Sequence, residues 1–279
     1  MNPSVIGKTY VAEPIEVSRA AAMFYALAVG DANTRYFDNR TEGGVIAPPM
    51  SAALWARSAI KSVLSDPETE IRYDRILHYS QTFHWMEPIR PGDRISTRAA
   101  VRDIREFENG GLITIETESS NQHEQPTVRG EWVFMDRSAG RPNAGKPPRL
   151  AGPEGPITSE ARIYVPSAQT FFYAEASGDR NPLHLDDTHA KERGLPGIIL
   201  HGLCTMALCH RALTAALCHG EPTHISSLSV RFSRPVFPGS HLYFKTVSAP
   251  NDNPPTRIGI IAEDREGNLV LRDAFCTLE

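Results

Sequence analysis

Asp179 and His184 stand five residues apart in the run Ser177-Gly178-Asp179-Arg180-Asn181-Pro182-Leu183-His184-Leu185-Asp186, with Ile199-Leu200-His201-Gly202-Leu203 a little downstream. A carboxylate and an imidazole on one Gly/Asn/Pro-punctuated loop suit two side chains that reach a single small ligand, such as a water, and exchange protons with it. Pro182 keeps the stretch between them from becoming helical. Gly202 lies where an apolar helix is about to begin, and the first N–H groups of a helix are unpaired and favour negative charge. A donor of this kind contributes about 3–4 kcal/mol to a transition state that builds charge on a carbonyl oxygen. Glycine at that point lets a substrate approach the backbone closely. The chemistry implied is proton transfer to and from a carbonyl compound.

The elements that must position these residues are written twice. Shifting Ile15–Asn33 by 148 places it over Ile163–Asn181 with ten of nineteen positions identical, among them Phe24/Phe172, Tyr25/Tyr173, Gly30/Gly178, Asp31/Asp179 and Asn33/Asn181. Gly44-Val45-Ile46 then answers Gly197-Ile198-Ile199, and Pro88-x-x-Pro91-Gly92 answers Pro235-x-x-Pro238-Gly239. Anchors in the same order at similar separations mean a tandem duplication. Each copy predicts a short helix opened by a serine N-cap (Ser18, Ser167) and ending near Gly30 or Gly178. A longer helix follows, with Met50, Leu54, Arg57, Ile60 and Leu64 in one copy and Leu203, Met206, His210, Leu213 and Leu217 in the other at steps of three and four. Four strand-like segments close each copy: 81–85, 94–101, 112–117 and 127–134, then 227–232, 241–247, 257–262 and 269–277. The fold class is α+β, an antiparallel sheet wrapped around a helix, twice. One copy's sheet edge can pair with the other's and so remove an exposed edge.

Residues 136–157 are dense in Pro and Gly and poor in large apolar side chains, which makes them the expected linker. The units are then 1–135 and 158–279. The 279 residues, 41% hydrophobic and 22% charged, bury an ample core, and a net charge of -4 argues against nucleic acid or an anionic membrane as partner. There is no apolar run of membrane-spanning length, no secretory pattern at the start and no peroxisomal address at the end, so the cytoplasm is the expected location. Cys204, Cys209, Cys218 and Cys276 form no C-x-x-C pair and read as free, packed thiols.

The string Ala176-Ser177-Gly178-Asp179-x-Asn181-Pro182-Leu183-His184-x-Asp186, with Leu200-His201-Gly202-Leu203, resembles the signature of MaoC-like dehydratases, the (R)-specific enoyl-CoA hydratases called hydratase 2. That family has the hot-dog fold, and the duplicated layout here is similar to its double hot-dog members. The match is most specific over 174–203, and the repeat extends a looser resemblance along nearly the whole chain. The resemblance implies that Asp179 and His184 activate a water and that the Gly202 amide binds the thioester oxygen. It also implies that Asn181, His201 and Leu203 border the substrate, with His201 hydrogen-bonded behind the helix start. The implied reaction is reversible hydration of a 2-enoyl thioester to a (3R)-hydroxyacyl product. The implied substrate is an acyl-CoA or acyl-carrier thioester, with no metal and no redox cofactor.

The first copy departs from this pattern. Tyr36 stands opposite His184, and Pro48-Pro49 opposite His201-Gly202, so the imidazole and the amide donor are both missing. This half is expected to be inactive and to shape the acyl pocket, with Phe37, Trp55, Phe83 and Trp85 as lining, which leaves one active site per chain. Other readings stay open. Asp179 could be a local cap and His184 a turn histidine. His184, Asp186, His189 and His201 could ligate a metal, and Arg231 or Arg234 could contact phosphates or be solvated strand charge. The protein could instead be a hot-dog thioesterase or a non-catalytic acyl-thioester binder, and both a monomer and a homodimer remain open.

Overall fold

The computed structural model describes residues 1–72, 75–145, 147, 152–247 and 257–279. The first half runs β1 (Thr9–Val11), β2 (Ile15–Glu16), α1 (Arg19–Ala28), α2 (Ala52–Leu64), β3 (Ile76–Trp85), β4 (Arg94–Phe107), β5 (Gly110–Ser120) and β6 (Pro126–Asp136). The second runs β7 (Ile157–Tyr164), α3 (Gln169–Ser177), α4 (Asp187–Glu192), α5 (Gly202–Leu217), β8 (Ile225–Phe232), β9 (His241–Val247), β10 (Arg257–Glu263) and β11 (Leu269–Leu278). All eight strands expected after the long helices form, each at least as long as its sequence pattern. Of the expected linker, 146 and 148–151 lie outside the described residues.

The strands join into one antiparallel sheet in the order β1-β4-β5-β6-β3-β8-β11-β10-β9-β7, with β2 also on β4. The order is mirrored about the β3–β8 junction, where Ser80 to His84 pair with Arg231 to Ser227 and the Thr82 and Ser229 hydroxyls meet at 2.8 Å. One unit's edge strand thus completes the other's sheet, and neither edge is left open at the seam. Alternation does the rest. In β4 Ile95, Thr97, Ala99 and Val101 are buried while Arg94 and Arg98 face out, a period of two that lays one face on a helix. This is a double hot-dog α+β fold.

Each sheet half wraps its own long helix. Along α5 Cys204, Met206, Leu208, Cys209 and Leu213 are almost wholly enclosed, and all four cysteines are free and buried. In α2 Trp55, Ala59, Ile60 and Val63 form the inner face, while Arg57 is turned outward. Truncating one such large core side chain to alanine costs about 2–5 kcal/mol. The short helices α1 and α3 pack on each other across the seam, with Tyr25 and Tyr173 edge to face at 5.8 Å.

The helix starts differ in one respect from the sequence expectation. Ser18 caps α1, its Oγ accepting from the Ala21 amide at 3.1 Å. Ser167 does not cap α3, whose cap position is Ala168 with no side-chain hydrogen bond. Pro166 stands opposite Ser18 in the repeat, and its carbonyl takes the Gln169 amide at 3.0 Å, so the backbone itself closes that turn. No helix of the described residues is long and apolar enough to cross a membrane.

Candidate active site

Helix α3 delivers the loop that carries Asp179 and His184. It ends at Gly178, whose φ of +70° is a left-handed cap that glycine adopts without strain. The chain then turns sharply. The Asp179 carboxylate accepts the Asn181 amide at 3.2 Å, and the Asn181 side chain accepts the Leu183 amide at 3.1 Å, which starts a single 3-10 turn over Pro182–His184. Two successive Asx hydrogen bonds therefore set the direction of His184 relative to Asp179. Asn181 is itself exposed and spends its side-chain oxygen on this turn.

His184, His201 and Asp179 converge, each offering an atom within 4.8 Å of the others'. The half-buried His184 ring directs Nδ1 at the Ile199 carbonyl, 2.8 Å away. A carbonyl only accepts, so Nδ1 carries the hydrogen and Nε2 of the neutral ring keeps its lone pair. Burial lowers the pKa of His184 from its ordinary value, partly opposed by the Ile199 bond and by the Asp179 charge. The partly open Asp179 and the Nε2 of His184 are a base pair able to hold a water.

His201 lies beneath them, 1% exposed. Its Nε2 donates to the Asp179 carbonyl at 2.9 Å and its Nδ1 meets the Thr170 hydroxyl at 3.2 Å. Burial first and the neighbouring His184 second push its pKa down to about 4. Held by that Nε2 bond it supports the loop from behind, and its Nε2 is not free to ligate a metal. Asp186 caps α4 through the Thr188 and His189 amides, so neither it nor His189 joins the cluster. The donor set suits a water better than an ion.

Gly202 is the first residue of α5, with His201 as its cap residue. The space where a Cβ would stand is taken by the Phe232 ring at 3.1–3.3 Å. A glycine there suits the close approach of a substrate, whereas the structure fills the space with an aromatic from β8. Leu203 is half-buried in the first turn of α5 and packs on the main core.

The first copy repeats the loop and plugs it. The Asp31 carboxylate accepts the Asn33 amide at 3.1 Å and Asn33 accepts the Arg35 amide at 3.0 Å, the same two bonds as in the second copy. Tyr36, in the place of His184, is buried with Ala26 and Ile46. Burial raises the pKa of Asp31 and of Tyr36. Pro48 and Pro49 open a 3-10 turn ahead of α2 in place of the amide donor. Of the expected pocket lining, Trp55 and Phe83 are core, Phe37 rests on Tyr36, and Trp85 is tied by its Nε1 to the Pro49 carbonyl at 2.9 Å.

Three residues here escaped the sequence reading. Thr170 donates to the His184 carbonyl at 3.0 Å as well as meeting His201, and nothing marks it within a helical run. Phe232 reaches Gly202 from β8, and His78 of β3, far away in the chain, packs on Phe232.

Comparison with known proteins accounts for both halves. Residues 149–256 match the MaoC like domain, and residues 4–129 match the FAS1-like dehydratase domain region. The chain thus carries a MaoC-like dehydratase domain in its second half and a FAS1-like dehydratase region in its first. Its relatives include 3-hydroxyacyl-thioester dehydratase Y of Mycobacterium tuberculosis, 35% identical over 60% of this chain and 60% of that protein. A probable enoyl-CoA hydratase 2 of Dictyostelium discoideum is 25% identical over 96% of this chain and 93% of that one. The peroxisomal multifunctional enzyme type 2 of Drosophila melanogaster is 29% identical over 63% of this chain, which spans only 30% of that enzyme. At family level these names describe hydro-lyases. The fold agrees with a MaoC-like dehydratase structure from Phytophthora capsici, at 22% identity, TM-score 0.85, and coverage of 100% of this chain and 98% of that one. It agrees as well with a Mycobacterium tuberculosis protein described as a double hot-dog fold, at 15% identity, TM-score 0.62, and coverage of 98% and 96%.

Proposed function

We propose that this chain catalyses the reversible hydration of a 2-enoyl thioester to a (3R)-hydroxyacyl thioester, with Asp179, His184 and the Gly202 amide as its working groups. The observation that carries this reading is the Asp179–His184 pair with an unprotonated His184 Nε2, beside the free amide end of α5. The thioester oxygen rests on the Gly202 N–H. Water held by Asp179 and His184 gives a proton to the pair as its oxygen bonds to C3. The electrons of the double bond move onto the thioester oxygen as an enolate, which the helix N-terminus stabilises. The enolate then collapses and takes a proton at C2 from the pair, which returns to its starting state. Delivery of both parts of the water from one side gives syn addition. Thioester conjugation and the amide supply the activation, so the reaction needs no metal or redox cofactor. Asn181 and His201 hold the pair in place, and Leu203 borders the acyl group.

The plugged loop at Asp31–Tyr36 supports one working site per chain, carried by unit 158–279, with unit 1–135 completing the sheet and the pocket wall. The substrate is an acyl-CoA or acyl-carrier thioester.

The test follows the conjugated enoyl absorbance of crotonyl-CoA with purified protein, with chiral analysis of the product and a free-thiol assay. Loss of the band with (3R)-hydroxybutyryl-CoA formed and no thiol released is expected, and Asp179→Asn or His184→Ala should abolish it in a folded protein. Full activity in either variant, or thiol release in place of hydration, would overturn the assignment.

A further inference from the structure

Each long helix sends an arginine across the seam to the end of the other unit's short helix. Arg211 of α5 donates through Nη1 to the Val29 carbonyl at 3.0 Å and to the Gly30 carbonyl, just past α1. A Cβ on Gly30 would stand 2.7 Å from that nitrogen. Arg57 of α2 makes the matching approach to the loop that carries Asp179 and His184. Its guanidinium covers Gly178, where a Cβ would collide with Nη1 and stand 3.2 Å from Cζ and 3.8 Å from Nη2. The offset of Gly44-Val45-Ile46 against Gly197-Ile198-Ile199 sets Arg57 opposite His210, the residue before Arg211. The two contacts are therefore alike in geometry and not in sequence.

The contact has an electrostatic reason. Gly178 closes α3, and the last carbonyls of a helix lack amide partners within it, which leaves partial negative charge that favours a cation. Asp179 follows directly, so its carboxylate begins beside that negative end. A guanidinium over Gly178 offsets both. Among the described residues no carboxylate pairs with Arg57, so its charge is not spent elsewhere. The first copy shows such an arginine acting on such an acid. Burial raises Asp31 and lowers Arg211, and the charge of each opposes that shift in the other.

Resting on the hydratase reading above, we propose that Arg57 is a positioning residue for Asp179 and His184: it holds the end of α3 where their loop begins and keeps positive charge beside the pair. The unit with the plugged loop thus retains a part in the chemistry of the other. The remaining groups around the pair are His201 beneath it, Tyr173 against His201 at 4.9 Å, His78 of β3 within reach of the Asp179 charge, and Arg180, tied to Glu175. All of them stay when Arg57 is replaced.

The test compares wild type, Arg57→Ala, Arg57→Lys and Arg211→Ala, with thermal melts to establish folding. Arg57→Ala should lower kcat on crotonyl-CoA by about tenfold or more with KM nearly unchanged, since small misplacements of working groups are costly. It should also raise the His184 pKa, followed by NMR of the imidazole, by about half a unit, the scale of an exposed charge. Arg57→Lys keeps the charge without the planar fork, so it should return that pKa to the wild-type value and restore only part of kcat. Arg211→Ala should lower the melting temperature and leave both kcat and the His184 pKa unchanged. If either quantity keeps its wild-type value in Arg57→Ala, or if Arg211→Ala moves both as far, the proposal is overturned. A wild type that hydrates no enoyl thioester overturns the hydratase reading instead, and the His184 titration still decides whether Arg57 acts on the pair.

Discussion

The imidazole of His184 lies flat on that of His201, with ring centres 3.8 Å apart and planes inclined by 27°. The backbone divides the labour between them. Ile199 takes the Nδ1 hydrogen of His184 and leaves Nε2 bare, while the Asp179 carbonyl takes the Nε2 hydrogen of His201 and locks it in place. Two stacked imidazoles, one buried and one half-buried, oppose each other's charge, and burial already lowers both pKa values. The pair is therefore neutral near pH 7, which makes the upper ring a base and the lower one a support.

The activity should reflect that neutral state. The acid limb of kcat/KM is expected to have its midpoint below 6.5, the ordinary imidazole value from which His184 is lowered. A pH profile of crotonyl-CoA hydration checks this, and a limb at or above that value contradicts the reading.

Stability should fall on the same side. His201 and His210 are neutral in the folded chain, burial pushing each down to about 4, whereas an unfolded histidine takes up its proton near 6.5. The unfolded state therefore binds more protons below 6.5. The stability is complete above that pH and is lost as the pH falls toward 4, by about 1 kcal/mol per histidine per pH unit. Urea melts across that range should show the slope, and His210→Leu should reduce it.

Thr170 is a positioning residue. Thr170→Val removes the hydroxyl shared by His201 Nδ1 and the His184 carbonyl. The expected cost is about 1–3 kcal/mol of stability from unpaired buried groups. A fall of kcat should accompany it with KM nearly unchanged, and Thr170→Ser should restore kcat. Steady-state kinetics of the two variants separate positioning from simple loss of packing.

Gly202→Ala drives a Cβ to 3.1 Å from the Phe232 ring. Overpacking of this kind costs about 1–3 kcal/mol. Relieving it with Phe232→Leu in the same chain should recover the melting temperature. If the double variant melts no higher than Gly202→Ala, Phe232 is not what demands a glycine.

Tyr36→Ala tests the plug in the first copy. The side chain is 1% exposed, and its loss should cost about 3–5 kcal/mol. Tyr36→His should restore no second site, because Pro49 still lacks an N–H at the point where Gly202 has one. Active-site counting with a tight-binding inhibitor should give one site per chain in both variants.

Much of this was legible in the residue order. The repeat was visible because two copies kept their turn residues: Gly30 and Gly178 both hold positive φ, and Asp-x-Asn builds the same Asx turns in each. The strands were visible because alternation marks a sheet with one buried face. Asp179, His184 and Gly202 stood out because their spacing on loop and helix start is local, and local geometry follows local residue types.

Contacts across long separations were not legible. His78 lies more than a hundred residues before Asp179, and only the bulge at Tyr79 turns it inward, a feature no alternation pattern reveals. Phe83 and Trp55 were expected in the pocket, yet apolar side chains do not announce which of two cavities they fill, and packing took them into the core. Sequence by itself determined the duplication, the α+β units and the acid–imidazole loop, since each depends on residues near one another in the chain. Tertiary structure alone decided that Phe232 would claim the face of Gly202, and that His78 from the first unit would pack on Phe232. Those outcomes depend on how two sheets meet at one seam, and close packing across that seam is set jointly by residues distant in sequence.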